Sequence, residues 1–305
     1  MKPLFYVLVL LSSSLAQNSA TGKQQILWQK LEASVHEVSD HLDGVAGVAI
    51  KDLTSGQTIL IAPDEVFPQA SSIKIAVLAE LYHQAQQGEL KLTDLYTVAK
   101  SDLVPDSDIM AGLTAGTTKI TLRDLATMMV AVSDNSATNV LIDRVGMANV
   151  NAWLDTLGLP HTRLRRKMMD LKAANEGREN ISTPREMMTL LEAMYRGKVL
   201  NREMTEDFFQ VLSTHKDSWI PRDLPDGLKI ANKPGALEGV RNDSGIVFLA
   251  NRPYAICVMT SYLRREREGE EAISRISLSS YRTFDRLARA SEYGRVVSPG
   301  NSSKP

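Results

Sequence analysis

Three short motifs carry the side chains most able to do chemistry: Ser71-Ser72-Ile73-Lys74, Ser133-Asp134-Asn135 and Lys233-Pro234-Gly235. Ser71 and Lys74 stand three residues apart, which on a helix puts hydroxyl and amine on one face. The following stretch, Ile75 to Tyr82, is apolar on nearly every face, so this helix is expected to be buried. Burial beside another cation drives a lysine toward its neutral form, and a neutral amine can take a serine proton. The helix N-terminus adds partial positive charge and backbone N–H groups where an oxyanion would form. Taken alone, the pair also reads as a helix cap and a solvated lysine.

Ser133-Asp134-Asn135 follows an apolar helix expected over Leu122 to Val132 and precedes another starting near Ala137. A polar cap accounts for one of these three residues better than for all of them. Lys233-Pro234-Gly235 follows a strand expected over Leu228 to Ala231 and opens a turn-containing segment that runs to Asp243. A lysine with a glycine on an edge strand presents a point charge and bare backbone to an extended ligand bearing a carboxylate. A plain hairpin with an incidental lysine is the alternative.

The composition narrows the chemistry. At 305 residues, 43% hydrophobic and 23% charged, the chain is globular. Lys and Arg total 35 against 36 Asp and Glu, a formal net charge of -1, which gives no pull toward nucleic acid or an anionic membrane. The single cysteine, Cys257, cannot form an intramolecular disulfide and reads as a core residue. The five histidines are scattered without metal-ligand spacing, so neither metal nor other cofactor is expected. The reaction is left to Ser, Lys, Asp and Glu.

The elements that must position these groups are an N-terminal helix, Gln24 to His41, and a hairpin of Val45 to Leu53 with Thr58 to Ile61. Strands recur far downstream at Ser244 to Ala250 and Tyr254 to Ser261, and a helix from Ile273 to Ala290 closes the chain. The middle is mostly helical. This order predicts an α+β fold, an antiparallel sheet completed by both chain ends around an all-helical insertion. The charged run Arg264 to Glu271 reads as a solvated turn. Lys2, the apolar run Leu4 to Leu11 and the small residues up to Ala16 read as a signal peptide over residues 1–16, cleaved to leave an exported protein with no membrane part. The polar tail Ser298 to Pro305 is expected to fray.

Ser-x-x-Lys, Ser-Asp-Asn and Lys-x-Gly occur in that order, with 62 positions from Ser71 to Ser133 and 100 from Ser133 to Lys233. In this the sequence resembles the penicillin-recognising serine enzymes, specifically class A β-lactamases. The resemblance runs from about Leu27 to Leu287 and includes Phe67-Pro68-Gln69-Ala70-Ser71 and Leu122-Arg123-Asp124-Leu125. It implies a β-lactamase/transpeptidase-like fold: a five-stranded antiparallel sheet flanked by helices, built from residues 24–66 and 215–292, and an all-α domain, 67–214. The active site would lie at their interface. By the same resemblance Ser71 would be the nucleophile, Lys74 its base partner and Ser133 the donor to the leaving nitrogen. Asn135 would hold the acyl side chain and Lys233 the substrate carboxylate. Gly235, two residues after Lys233, would also bind substrate, and the N–H groups of Ser71 and Ala236 would form the oxyanion hole. The implied partner is a small-molecule β-lactam or a D-Ala-D-Ala-like peptide, met by a monomer in a periplasm or in the medium.

Some residues depart from that pattern. Thr162-Arg163-Leu164 resembles the start of the family's Ω-loop, yet the expected glutamate falls at Met168 and the expected asparagine at Lys172. A thioether cannot deprotonate water at any pH. Asp170 is the nearest acid, and Asn180 at the usual partner position leaves Glu179 as the carboxylate for Arg166. Pro234 replaces a hydroxyl, and Ser244 stands where an arginine is expected, with Arg241 or Arg222 as substitutes. Leu103-Val104-Pro105 is aliphatic where many relatives place an aromatic gate. Three activities fit: β-lactam hydrolysis through an acyl-enzyme on Ser71, with Asp170 or a repositioned water completing the cycle; acylation with slow release, as in a penicillin-binding acyl-transfer enzyme or D-Ala-D-Ala peptidase; or a non-catalytic module for cell-wall ligands.

Overall fold

The computed structural model describes residues 22–291 and 293–296. The leader read over residues 1–16, residue 292 and the tail from Ser298 lie outside these described residues. None of the described helices is long and apolar enough to cross a membrane.

Five antiparallel strands form the main sheet: β1 (Val45–Asp52), β2 (Thr58–Ile61), β3 (Ile230–Leu237), β4 (Val240–Val247) and β5 (Tyr254–Ser261), in the order β2-β1-β5-β4-β3. The two chain ends thus complete one sheet, and β3 is its edge. Nine helices accompany it among the described residues: α1 (Gly22–Asp40), α2 (Lys74–Gln87), α3 (Leu122–Ala131), α4 (Asn135–Val145), α5 (Met147–Thr156), α6 (Leu171–Asn175), α7 (Pro184–Tyr195), α8 (Arg202–Leu212) and α9 (Glu266–Arg289).

Side chains alternate across a strand, and β5, buried along its whole length, feeds two cores at once. Tyr254, Ile256 and Val258 face one cluster with Trp28, Leu31 and Val35 of α1 and Ile273, Ile276 and Phe284 of α9. Phe284 meets Trp28 edge-on at 5.5 Å and stacks on Tyr254 at 4.4 Å. Ala255, Cys257 and Met259 face the other cluster, where α2 is the central member. Cys257 is buried there, and desolvation pushes its thiol up to about 12. The expected turn at Arg264 to Glu271 is instead helical from Glu266. Acidic residues in the first turn and the Arg267–Glu271 pair one turn apart support that start.

Candidate active site

The nucleophile motif does not begin as an α-helix. Ala70–Ile73 is a 3-10 turn, and α2 starts at Lys74. Tertiary bonds hold this tighter winding. Gln69 N–H donates to Asn180 O at 2.7 Å, Ser72 Oγ donates to Lys233 O at 3.0 Å, and Ala70 adopts a φ of 48°. Ser71 is therefore presented by a turn pinned both to the edge strand and to the segment around Asn180.

Lys233 lies within β3, not in a turn beyond it, because β3 continues through Leu237 in register with β4, Lys233 opposite Ser244 and Gly235 opposite Asn242. Pro234, which has no N–H to give a ladder, is accommodated on this edge strand. The requirement for glycine at 235 is packing against the nucleophile turn. A Cβ there would sit 2.5 Å from Gln69 O and 2.8 Å from Ser72 N.

The three residues of Ser133-Asp134-Asn135 divide their work. Asp134 is the cap: its carboxylate accepts from Ala137 N–H of α4 and from the N–H groups of Ile109 and Met110. Ser133, at φ 58°, and Asn135 are left to face Lys74. The Lys74 amine donates to Ser133 O at 2.6 Å, Ser133 Oγ at 2.9 Å and Asn135 Oδ1 at 2.9 Å. From the strand side the Lys233 amine donates to the same Ser133 Oγ at 3.1 Å and to Pro234 O at 3.0 Å. Both lysines are buried, and a desolvated ammonium is costly. Burial first, and then the charge of Lys233, hold Lys74 well below the ordinary lysine range. Burial, with repulsion from Lys216, brings Lys233 to about 7.

Ser71, Ser133, Asn135, Lys233, Gly235 and Ala236 line one cavity of about 450 Å³. No hydrogen bond joins Ser71 to Lys74 among the described residues: the Lys74 amine is turned to Ser133 and Asn135, and Ser71 lines the cavity. The cavity's other wall carries Arg166, Met168, Met169 and Asn180. Met168 is fixed through its backbone, its N–H donating to Asn139 Oδ1 at 2.8 Å and its carbonyl accepting from Asn139 Nδ2 at 3.0 Å. Arg166 pairs with Glu179 at 2.8 Å, as the sequence suggests, and Asn180 braces the loop by accepting from Arg165 and Arg166 N–H.

Three candidates fall outside this arrangement. Asp170 is exposed, caps α6 through Ala173 N–H and does not line the cavity. Arg241 and Arg222 do not line it either, and both pair with Glu270, at 3.1 Å and 3.3 Å. The carboxylates that do line it, Asp106, Asp108 and Asp217, come from loops other than the one bearing Met168. Sequence reasoning missed Ser72 and Asn139, and the bracing role of Asn180, all of them hydrogen bonds between segments distant in the chain.

A family model described as "Beta-lactamase enzyme family" matches residues 27–284, with the cavity residues inside it. The chain belongs to the class A β-lactamase family. Among its relatives is the β-lactamase SME-1 of Serratia marcescens, 28% identical over 265 residues, 82% of this chain and 88% of that one. Among solved structures, a β-lactamase from Sphaerobacter thermophilus superposes with a TM-score of 0.77 at 30% identity, covering 85% of this chain and 98% of that one. A mutant of PBP-A, solved as an acyl-enzyme complex with penicillin G, superposes with a TM-score of 0.76 at 26% identity, covering 86% and 97%. Within this family the chain is a serine-hydrolase relative whose Lys74, Ser133 and Lys233 form one connected polar network.

Proposed function

We propose that this protein forms a covalent acyl-enzyme with β-lactams on Ser71 and releases it slowly. The carrying observation is the convergence of Lys74 and Lys233 on Ser133 Oγ beside the Ser71 cavity, with a methionine on the loop from which a base would approach. Neutral Lys74 accepts the Ser71 proton, and Ser71 Oγ attacks the lactam carbonyl carbon. The ring C–N bond breaks, and its nitrogen takes a proton from Ser133, which Lys74 resupplies. Protonated Lys233 holds the substrate carboxylate, Asn135 the acyl side chain, and the N–H groups of Ser71 and Ala236 the developing oxyanion. Deacylation then needs a base for water, and Met168 offers none.

Asp170, spent as a cap outside the cavity, does not fill that place. That favours slow release, the behaviour of a penicillin-binding acyl-transfer enzyme or D-Ala-D-Ala peptidase, over rapid β-lactam hydrolysis. The PBP-A acyl-enzyme supports the reading by likeness, and the mutant concerned carries a glutamate in place of a leucine. Residues 24–66 and 215–292 would form one domain and 67–214 the other, with export by the segment 1–16 and action as a monomer.

A chromogenic cephalosporin tests this in stopped flow. A burst equal to the enzyme concentration, followed by a much slower steady state, is expected. Fast turnover without a burst would return the assignment to ordinary hydrolysis, and no reaction would leave only ligand binding.

A further inference from the structure

Behind the edge strand lies a second cavity, of about 170 Å³, lined among others by His215, Lys216, Ser218, Lys229 and Asn232. Its basic side chains come from two separate segments, and no carboxylate lines it. Lys216 is half-buried, its amine donates to Leu212 O at 2.9 Å, and it makes no ion pair among the described residues. Two of its three N–H donors are thus left for another acceptor. Lys229 lies over the Phe248 ring at 4.9 Å and is also without a carboxylate partner among the described residues. Ser218, 5% exposed, has a hydroxyl with no hydrogen-bond partner among the described residues. The nearby acid, Asp243, is already committed: it accepts from Trp219 N–H, Ile220 N–H and Asn232 Nδ2. A partly buried cation is ordinarily paired, and among the described residues Lys216 is not, while Lys229 and His215 stand exposed at the cavity's rim.

We propose that this cavity binds a small oxyanion of phosphate size between Lys216, Lys229 and His215. The site is separate from the Ser71 cavity, and its occupancy does not depend on the acyl-enzyme reading. It does bear on the cleft, because Asn232 precedes Lys233 on β3. Asp243 of β4 favours the charged form of both Lys216 and Lys233, and Lys216 disfavours that of Lys233. His215, Asp217 and Lys229 are the further titratable neighbours around Lys216.

The test is calorimetric titration of the purified protein with inorganic phosphate against chloride at constant ionic strength, with melting temperature followed in parallel. Saturable binding that raises the melting temperature is expected. Lys216→Met should weaken it about tenfold or more, the loss of a charge-assisted hydrogen bond, whereas Lys216→Arg should keep it. Glycerol 3-phosphate in a second titration separates the sources: binding as tight as phosphate means that a phosphomonoester fits, and rejection means that the free ion is the ligand. Non-saturating binding up to tens of millimolar, or equal phosphate affinity in wild type and Lys216→Met, would overturn the proposal.

Discussion

Lys74 and Lys233 meet at one oxygen, their amine nitrogens lying 2.9 Å and 3.1 Å from Ser133 Oγ. Two full ammonium charges on buried lysines around a single hydroxyl are unfavourable, so the network sheds a proton. Lys74 sits well below the ordinary lysine range, and Lys233 sits at about 7. The pair divides into a base and a cation, which is what acylation of an anionic substrate requires.

A pH profile of the second-order acylation rate follows from that division. Lys74 must be neutral, so the rate climbs with pH through its titration. Lys233 must be charged to hold the substrate carboxylate, so the rate falls as pH rises past about 7. Lys233→Arg, which stays protonated, should remove the falling limb. An unchanged falling limb in that variant would assign it to another group.

Stability should rise with alkalinity over the same range. The folded state holds Lys233 at about 7 and Lys216 at about 8, both lowered first by burial, whereas unfolded lysine titrates near about 10.4. Between those values the unfolded chain binds more protons, so raising the pH favours folding, by roughly 1–2 kcal/mol per lysine from pH 7 to 9. Denaturant midpoints at the two pH values check this. Lys233→Met should flatten the dependence, and a midpoint that falls with pH contradicts the assignment.

Gly235→Ala should separate the nucleophile turn from the edge strand. Its Cβ would lie 2.5 Å from Gln69 O and 2.9 Å from Ser72 Oγ, and Ser72 is the group bonded to Lys233 O. A loss of about 1–3 kcal/mol in unfolding free energy is expected, with slower acylation. Wild-type stability and rate would mean that the turn has room to move.

Met168→Glu should convert slow release into turnover. The Met168 backbone is clamped by Asn139, and its side chain lines the Ser71 cavity, so a carboxylate at that position enters the same wall. A deacylation rate higher by about 10²-fold or more is expected, the scale of a positioned general base. Asp170→Asn should leave wild-type deacylation unchanged, and a fall in that variant would restore Asp170 to the mechanism.

The legible parts of the sequence are those where local pattern and tertiary role coincide. The strand read at Tyr254 to Ser261 matches β5 at both ends, because β-branched and apolar residues there face two cores. The motif residues Ser71, Ser133, Asn135, Lys233, Gly235 and Ala236 do share one cavity. What local pattern could not supply is set by distant partners. The 3-10 winding at Ala70–Ile73 depends on Asn180 and Lys233, and the continuation of β3 through Pro234 depends on β4. Asp170 carries the same letter whether it is a base or a cap, and only its bond to Ala173 N–H distinguishes them.

Intact mass spectrometry of the protein after mixing with penicillin G, with peptide mapping of the adduct, tests the central claim most directly. The prediction is a stoichiometric mass increase by the whole drug, located on Ser71, persisting for many minutes and absent from Ser71→Ala. An unmodified protein beside intact penicillin, or an adduct on any other residue, would contradict it.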